Sequence, residues 1–261
     1  MNYIDNFINK ILNLLWMFIP VATPDVAALK AAKIVAHRGV HENNLAMENT
    51  MAAFSLALDN KIWGIELDVR LSKDSVAFVL HDPDTQRLYG KENKIKISAT
   101  DSHYIIKHFP QIPQLSDVII KFKDRLHLMI EIKEDYSKHP LAIKHFKTLL
   151  SKLEPIHHYH LLSLHPDFLT PFDFVPNEAK MDVIWLNPEE IFQKNNHLNH
   201  AAIAGHFLFF NSRRISQLKA KGRSIGVGFL DSKKLLYREL NRGVDWIFTN
   251  HPLRLRKLIP D

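Results

Sequence analysis

Short apolar runs punctuate this chain, with polar and charged stretches between them. Eight of them read as strands: 33–36, 64–69, 126–132, 159–163, 181–186, 207–210, 224–229 and 244–248. Most are continuously apolar rather than alternating, the pattern of parallel strands covered on both faces. Helical stretches separate most of these strands, at 48–58, 116–123, 140–153, 188–195, 213–221 and 232–241, and a last one at 252–258 closes the chain. Asn49 or Thr50 fits the cap of the first helix. Alternation of strand and helix predicts an α/β fold, and eight strands predict a closed TIM-type (β/α)8 barrel.

A ninth apolar run, 76–80, breaks the rule. It begins too soon after Val69 for a parallel crossover, which takes a dozen residues or more. It must therefore turn back as an extra antiparallel hairpin strand after strand two. A turn centred on Lys73 and Asp74 sets His81 opposite Glu66. Moving the centre by one residue sets it opposite Asp68. Paired residues share a face, so either register brings His81 beside the two carboxylates.

The chain opens differently. Ile4, Phe7, Ile8, Ile11, Leu12, Leu15, Phe18 and Ile19 recur at helical spacing, with Asn2, Asp5, Asn6, Asn9, Lys10 and Asn13 opposite, up to Pro20. This predicts an N-terminal amphipathic helix. Its mostly apolar part is about 12 residues, short of the ~20 that cross a bilayer. Three readings stand: a helix packed on the domain, peripheral membrane contact through residues 4–19, or a signal cleaved near Val26-Ala27-Ala28. The expected division is an N-terminal segment, 1–30, and one barrel domain, 31–261. The compartment expected is cytoplasmic with membrane association as a variant, and secretion or export to a periplasm stays open.

Composition narrows the partners. The net charge of +6 favours anionic ligands such as phosphate esters or acidic membranes. No Lys/Arg-dense run with interleaved aromatics occurs, so no nucleic-acid partner is expected. Without cysteine, disulfides and thiolate metal sites are excluded.

The chemistry gathers at strand ends: His37-Arg38-Gly39, Glu66-Leu67-Asp68, His81-Asp82 and Glu131-Ile132-Lys133. Glu66 and Asp68 repel unless something positive compensates, and Glu131 stands in a matching position on the next barrel strand. Three carboxylates suit a hard divalent cation, Mg²⁺ or Ca²⁺. The rival reading is a structural salt network with Arg38 and Lys133. Arg38 offers a planar fork for phosphate, and Lys133 a point charge. Cleaving a phosphodiester needs one group to activate the nucleophile and one to protonate the leaving alkoxide. The pair His37 and His81 suits that task, with the assignment of roles open.

The pattern HRG…ENT..AF..A…ELDV..SKD…HD…IPQL.DV…EIK…GVDWIFTNHP resembles the glycerophosphodiester phosphodiesterase family from Ile34 to about Pro252. The resemblance implies a TIM-type barrel and metal-dependent cleavage of glycerophosphodiesters to an alcohol and glycerol 3-phosphate. It implies Glu66, Asp68 and Glu131 as metal ligands, His37 and His81 as acid and base, and Arg38 and Lys133 as phosphate contacts. Glu48 and Asn49 fall in the ENT motif as supporting residues. The chain departs from the family at Met47 for a common proline, Ser75 for a hairpin-tip glycine, Phe229 for a late tryptophan and Asn250 for a common aspartate. Two alternatives remain: a lysophospholipase-D-like activity on lipid phosphodiesters at a membrane surface, and a non-catalytic protein that binds lipid headgroups.

Overall fold

A computed structural model describes Trp16 and residues 19–260. Nine strands form one sheet: β1 Ile34–His37, β2 Gly64–Leu71, β3 Ala77–Val79, β4 His127–Ile132, β5 Tyr159–Ser163, β6 Lys180–Ile184, β7 Ala202–His206, β8 Ser224–Gly228 and β9 Trp246–Thr249. Eight pair in parallel and close into a barrel, with β1 bonded to both β2 and β9. β3 pairs antiparallel with the far half of β2 and lies outside the ring.

Alternation along the strands sorts the residues. Ile34 and Ala36, Ile65 and Leu67, and Leu128 and Ile130 point outward, into a core shared with Phe54, Leu115, Phe122, Phe146 and Leu235 of the surrounding helices. Val35, Met129, Leu162, Met181, Ala202, Ala204 and Trp246 fill the interior. The helices start where their sequences provide caps. Thr50 Oγ1 accepts from Ala53 N at the head of α2 (Met51–Asp59), after the short α1 (Val26–Lys30). Asn49 does not cap; it turns toward β2 instead. Ser232 caps the helix Lys233–Asn241, and prolines open Pro140–Leu150, Pro188–Leu198 and Pro252–Arg256.

Two expectations need correction. The sixth barrel strand is Ala202–His206, not the run 207–210, whose first three residues form a 3-10 turn. Phe207 and Phe210 are apolar because that turn is buried, while the strand itself carries small residues. The hairpin register also differs: Val69 faces Val79, Arg70 faces Phe78 and Leu71 faces Ala77. Continued, that pairing would set His81 opposite Leu67, on the outward face. The strand stops first. Leu80 N donates to Asp68 O, and the backbone bends at His81 and swings the imidazole into the barrel mouth.

The expected N-terminal helix and its membrane contact, residues 4–19, lie outside the described residues apart from Trp16 and Ile19. Trp16 packs under the Arg238 guanidinium, 4.4 Å from the ring centre. Among the described residues no helix is long and apolar enough to cross a membrane.

Candidate active site

The strands deliver their chemistry to one end of the barrel. Six of the seven residues singled out, His37, Arg38, Glu66, His81, Glu131 and Lys133, line a single cavity of about 310 Å³ at the C-terminal mouth. The seventh, Asp68, is fully buried just behind it, with Oδ1 2.9 Å from Lys133 Nζ.

Backbone geometry sets the entry. β1 ends in two successive left-handed residues, Arg38 (φ 60°) and Gly39 (φ 79°). A Cβ on Gly39 would sit 2.8 Å from that of Ala53, so only glycine fits. The turn directs Arg38 N at Glu66 Oε2, 3.0 Å away, and its side chain at Asp68 (Nε–Oδ2 3.2 Å) and Glu48 (Nη1–Oε1 2.9 Å). Asn49, itself left-handed, donates from Nδ2 to Asp68 Oδ2 at 2.8 Å. The ENT motif is therefore a brace for the carboxylate cluster.

Glu66 and Asp68 project from one face of β2, and Asp68 is in register with Glu131 on β4. Oxygens of the three carboxylates lie within 4.8 Å of one another, all buried. Arg38 and Lys133 answer part of the charge; Lys133 Nζ is 2.6 Å from Glu131 Oε1. The salt network expected as a rival is thus present, but it is incomplete. Glu66 Oε1 is buried with no hydrogen-bond partner among the described residues. Burial and the charges of Asp68 and Glu131 push the Glu66 carboxyl well above its ordinary range. Burial and Asp68 outweigh Lys133 and raise Glu131 too. Burial would raise Asp68 as well, but Lys133 and Arg38 hold it far below the usual range.

These signs describe a site short of positive charge. With all three acids ionised, two fixed cations leave one negative charge over. A divalent cation would reverse that to a single positive charge, the complement of a phosphodiester monoanion. An all-oxygen, buried, partly unpartnered donor set fits a hard ion of that kind.

The two histidines differ in their partners. His37 Nδ1 donates to Asn250 Oδ1 at 2.6 Å, so its Nε2 carries a lone pair, 3.8 Å from Glu66 Oε2. Burial and Arg38 lower its pKa to about 3, so the ring is neutral at pH 7. His81 Nδ1 is 2.7 Å from Asp82 Oδ1, and Asp82 is gripped from its other oxygen by Arg87. Arg87 also bonds Glu48, closing a chain from His81 to Arg38. Sequence reasoning missed Arg87, which sits in a loop helix, Gln86–Tyr89, with no periodic or motif signal. It also missed most of the cavity's far wall, where Leu162, Leu164, Val183, Trp185 and Phe248 join Phe229, which the sequence had marked only as a departure from the family pattern.

Comparison with known proteins places this geometry. Residues 37–254 match the model of the Glycerophosphoryl diester phosphodiesterase family. A glycerophosphodiester phosphodiesterase of Bacillus altitudinis is 28% identical over 242 residues, 87% of this chain and 97% of that protein. The structure is similar to that of an Oleispira antarctica phosphodiesterase solved in complex with the product sn-glycerol-3-phosphate. The TM-score is 0.74 at 23% identity, covering 87% of this chain and 96% of that one. A glycerophosphodiester phosphodiesterase from Thermotoga maritima gives 0.72 at 24% identity, over 87% and 98% of the two chains. At these identities the structural likenesses show a shared fold.

Proposed function

As this chain belongs to the glycerophosphoryl diester phosphodiesterase family and is a phosphoric diester hydrolase, we propose that it hydrolyses glycerophosphodiesters to an alcohol and glycerol 3-phosphate, using a divalent metal and a histidine pair. One observation carries the reading. Three buried carboxylates, two cations and two histidines from four separate segments meet at one cavity.

Glu66, Asp68 and Glu131 are the residues that would hold the ion, either Mg²⁺ or Ca²⁺. When bound, it supplies Lewis-acid polarisation of the phosphoryl oxygens. Arg38 and Lys133 lie against the same carboxylates and face the cavity, where they offset negative charge on the phosphoryl oxygens. His37, neutral with a lone pair on Nε2, takes the proton of the attacking oxygen. His81, anchored through Nδ1 by Asp82, gives a proton from Nε2 to the departing alkoxide. One P–O bond forms, one breaks, and the proton taken by His37 balances the one given by His81.

The direct test is turnover of glycerophosphocholine with Mg²⁺, Ca²⁺ and EDTA. Activity is expected to vanish in EDTA and return with one of the ions. His37→Ala and His81→Ala are each expected to lose about 10²–10⁴-fold in kcat. Glu66→Gln is expected to weaken metal binding measured by calorimetry. Full activity in EDTA would remove the metal, and near-normal turnover in either histidine variant would remove the acid/base assignment.

A further inference from the structure

His81 reaches the barrel mouth only because the chain leaves its ladder. The register of β2 and β3 would set it on the outward face, and β3 ends at Val79. Hydrogen bonds hold the bend that follows. Leu80 N to Asp68 O is a last rung between the two segments. A second bond comes from a side chain: Arg70 Nε donates to the carbonyl oxygen of His81 at 2.9 Å. It fastens the backbone of the very residue whose imidazole lines the cavity.

The guanidinium that makes this bond is itself fixed. Arg70 Nη1 lies 3.1 Å from Glu134 Oε1, and Glu134 Oε2 accepts from Leu71 N at 3.2 Å. Both carboxylate oxygens are therefore engaged, one by a side chain and one by the backbone of adjacent β2 residues. A planar guanidinium held at two of its corners has little freedom left. Water reaches little of the pair, whose side chains are 14% and 26% exposed. Glu134 directly follows Lys133, which pairs with Asp68 and Glu131. Arg70 thus ties the His81 segment to the end of β4, and both ends of that tie carry groups of the site. An ion pair made only for stability needs no third partner. Here Nε is turned onto the one carbonyl at the bend.

We propose that Arg70, oriented by Glu134, is a positioning residue for His81, holding the imidazole where it can pass its proton to the departing oxygen. The inference rests on the reading of His81 as the acid. Arg70 stands outside the cavity wall and acts through the His81 backbone. A misplacement of about 1 Å in a reacting geometry loses on the order of 10²-fold. Asp82 restrains the ring separately through Nδ1, so part of the placement survives without Arg70.

The leaving group separates this role from a structural one. Choline departs as an alkoxide that needs a proton, whereas 4-nitrophenolate departs without one. The glycerophosphate esters of these two alcohols are therefore compared. Arg70→Met removes the bond to His81 O and keeps the stem of the side chain. Its kcat on glycerophosphocholine is expected to fall about 10- to 100-fold. KM should stay within about twofold, and the 4-nitrophenyl ester should slow by less than about threefold. Equal losses on the two esters would make Arg70 a structural residue and overturn the proposal. In a His81→Ala background, Arg70→Met should lose less than about a further twofold on glycerophosphocholine, because the two residues act as one unit. Losses that multiply overturn the proposal as well. Glu134→Gln keeps an acceptor for Leu71 N and removes the ion that orients Arg70. It should show the same contrast between esters at about three- to tenfold, and it carries the test if Arg70→Met does not fold. Wild type that cleaves neither ester, or His81→Ala as fast as wild type on glycerophosphocholine, sinks the acid assignment itself, and the role of Arg70 falls with it.

Discussion

Asn250 puts a neutral amide where a carboxylate would change the electrostatics of the site. Its Oδ1 fixes the His37 tautomer without adding charge, and Arg38 beside the ring works against protonation. His37 also faces Glu66, Asp68 and His41, so its charge state reflects several neighbours. Asn250→Asp supplies an anion at 2.6 Å from Nδ1 and favours the imidazolium. A base must be deprotonated to work, so raising its pKa moves the acidic limb of the pH–rate profile upward. We expect a rise of roughly one pH unit or more, read from kcat/KM between pH 4 and 8. A limb that stays in place, or moves down, would show that His37 is not the base that limits the reaction at low pH. That the seven residues gather at one mouth was legible in the sequence, because short motifs set them at or just beyond strand ends. The grip of Arg87 on Asp82 and Glu48 was not, because a loop side chain's partner depends on tertiary path alone.

The elements tell a similar story of pattern and exception. Strand six was misplaced because hydrophobicity marks burial, not strand. Ala202 and Ala204 face the barrel interior, and Ala204 borders the cavity, so the true strand is low in large apolar residues, while Phe207 and Phe210 bury a turn. The extra hairpin was legible from its short spacing, but its register was not. A tip with Ser75 at φ 64° shifts the pairing by one residue, and only the early end of β3 restores His81 to the mouth. That tip also carries a cost. A left-handed L-residue loses about 1–2 kcal/mol, whereas glycine costs about 0.4–1 kcal/mol through the unfolded chain. Among the described residues the Ser75 side chain has no hydrogen bond that would offset the difference, and the turn closes through Ser75 N to Ser72 O. Ser75→Gly is therefore expected to stabilise by about 0.5–1 kcal/mol. The check is a higher urea midpoint at constant slope; a lower midpoint would mean the serine is held there by something else.

The whole molecule divides its labour between the two ends of the barrel. Chemistry sits at the C-terminal mouth, and the N-terminal floor is closed by buried aromatic and imidazole rings. There His127 stacks on Trp63 at 4.4 Å, and His160 meets Trp246 edge-on at 5.0 Å. His127 Nδ1 must donate to the carbonyl of His157, so its Nε2 accepts, and His160 Nδ1 is the donor across 2.8 Å. This chain of bonds requires the His127 ring to be neutral. Burial, with Lys33 and other histidines nearby, lowers His127 to about 4 and His160 to about 3. An unfolded histidine takes its proton near pH 6.5. Below that value the unfolded state binds protons that the folded state refuses, so stability is full above pH 6.5 and falls as pH drops toward the folded values. From pH 7 to pH 5 the pair should lose about 3–4 kcal/mol. Urea midpoints at the two pH values measure it. His37 and His206 are lowered as well and add a background loss, so the comparison that isolates the floor is His160→Gln, in which the drop should shrink by about 2 kcal/mol. An equal drop in that variant would mean the acid sensitivity of this barrel arises at its mouth.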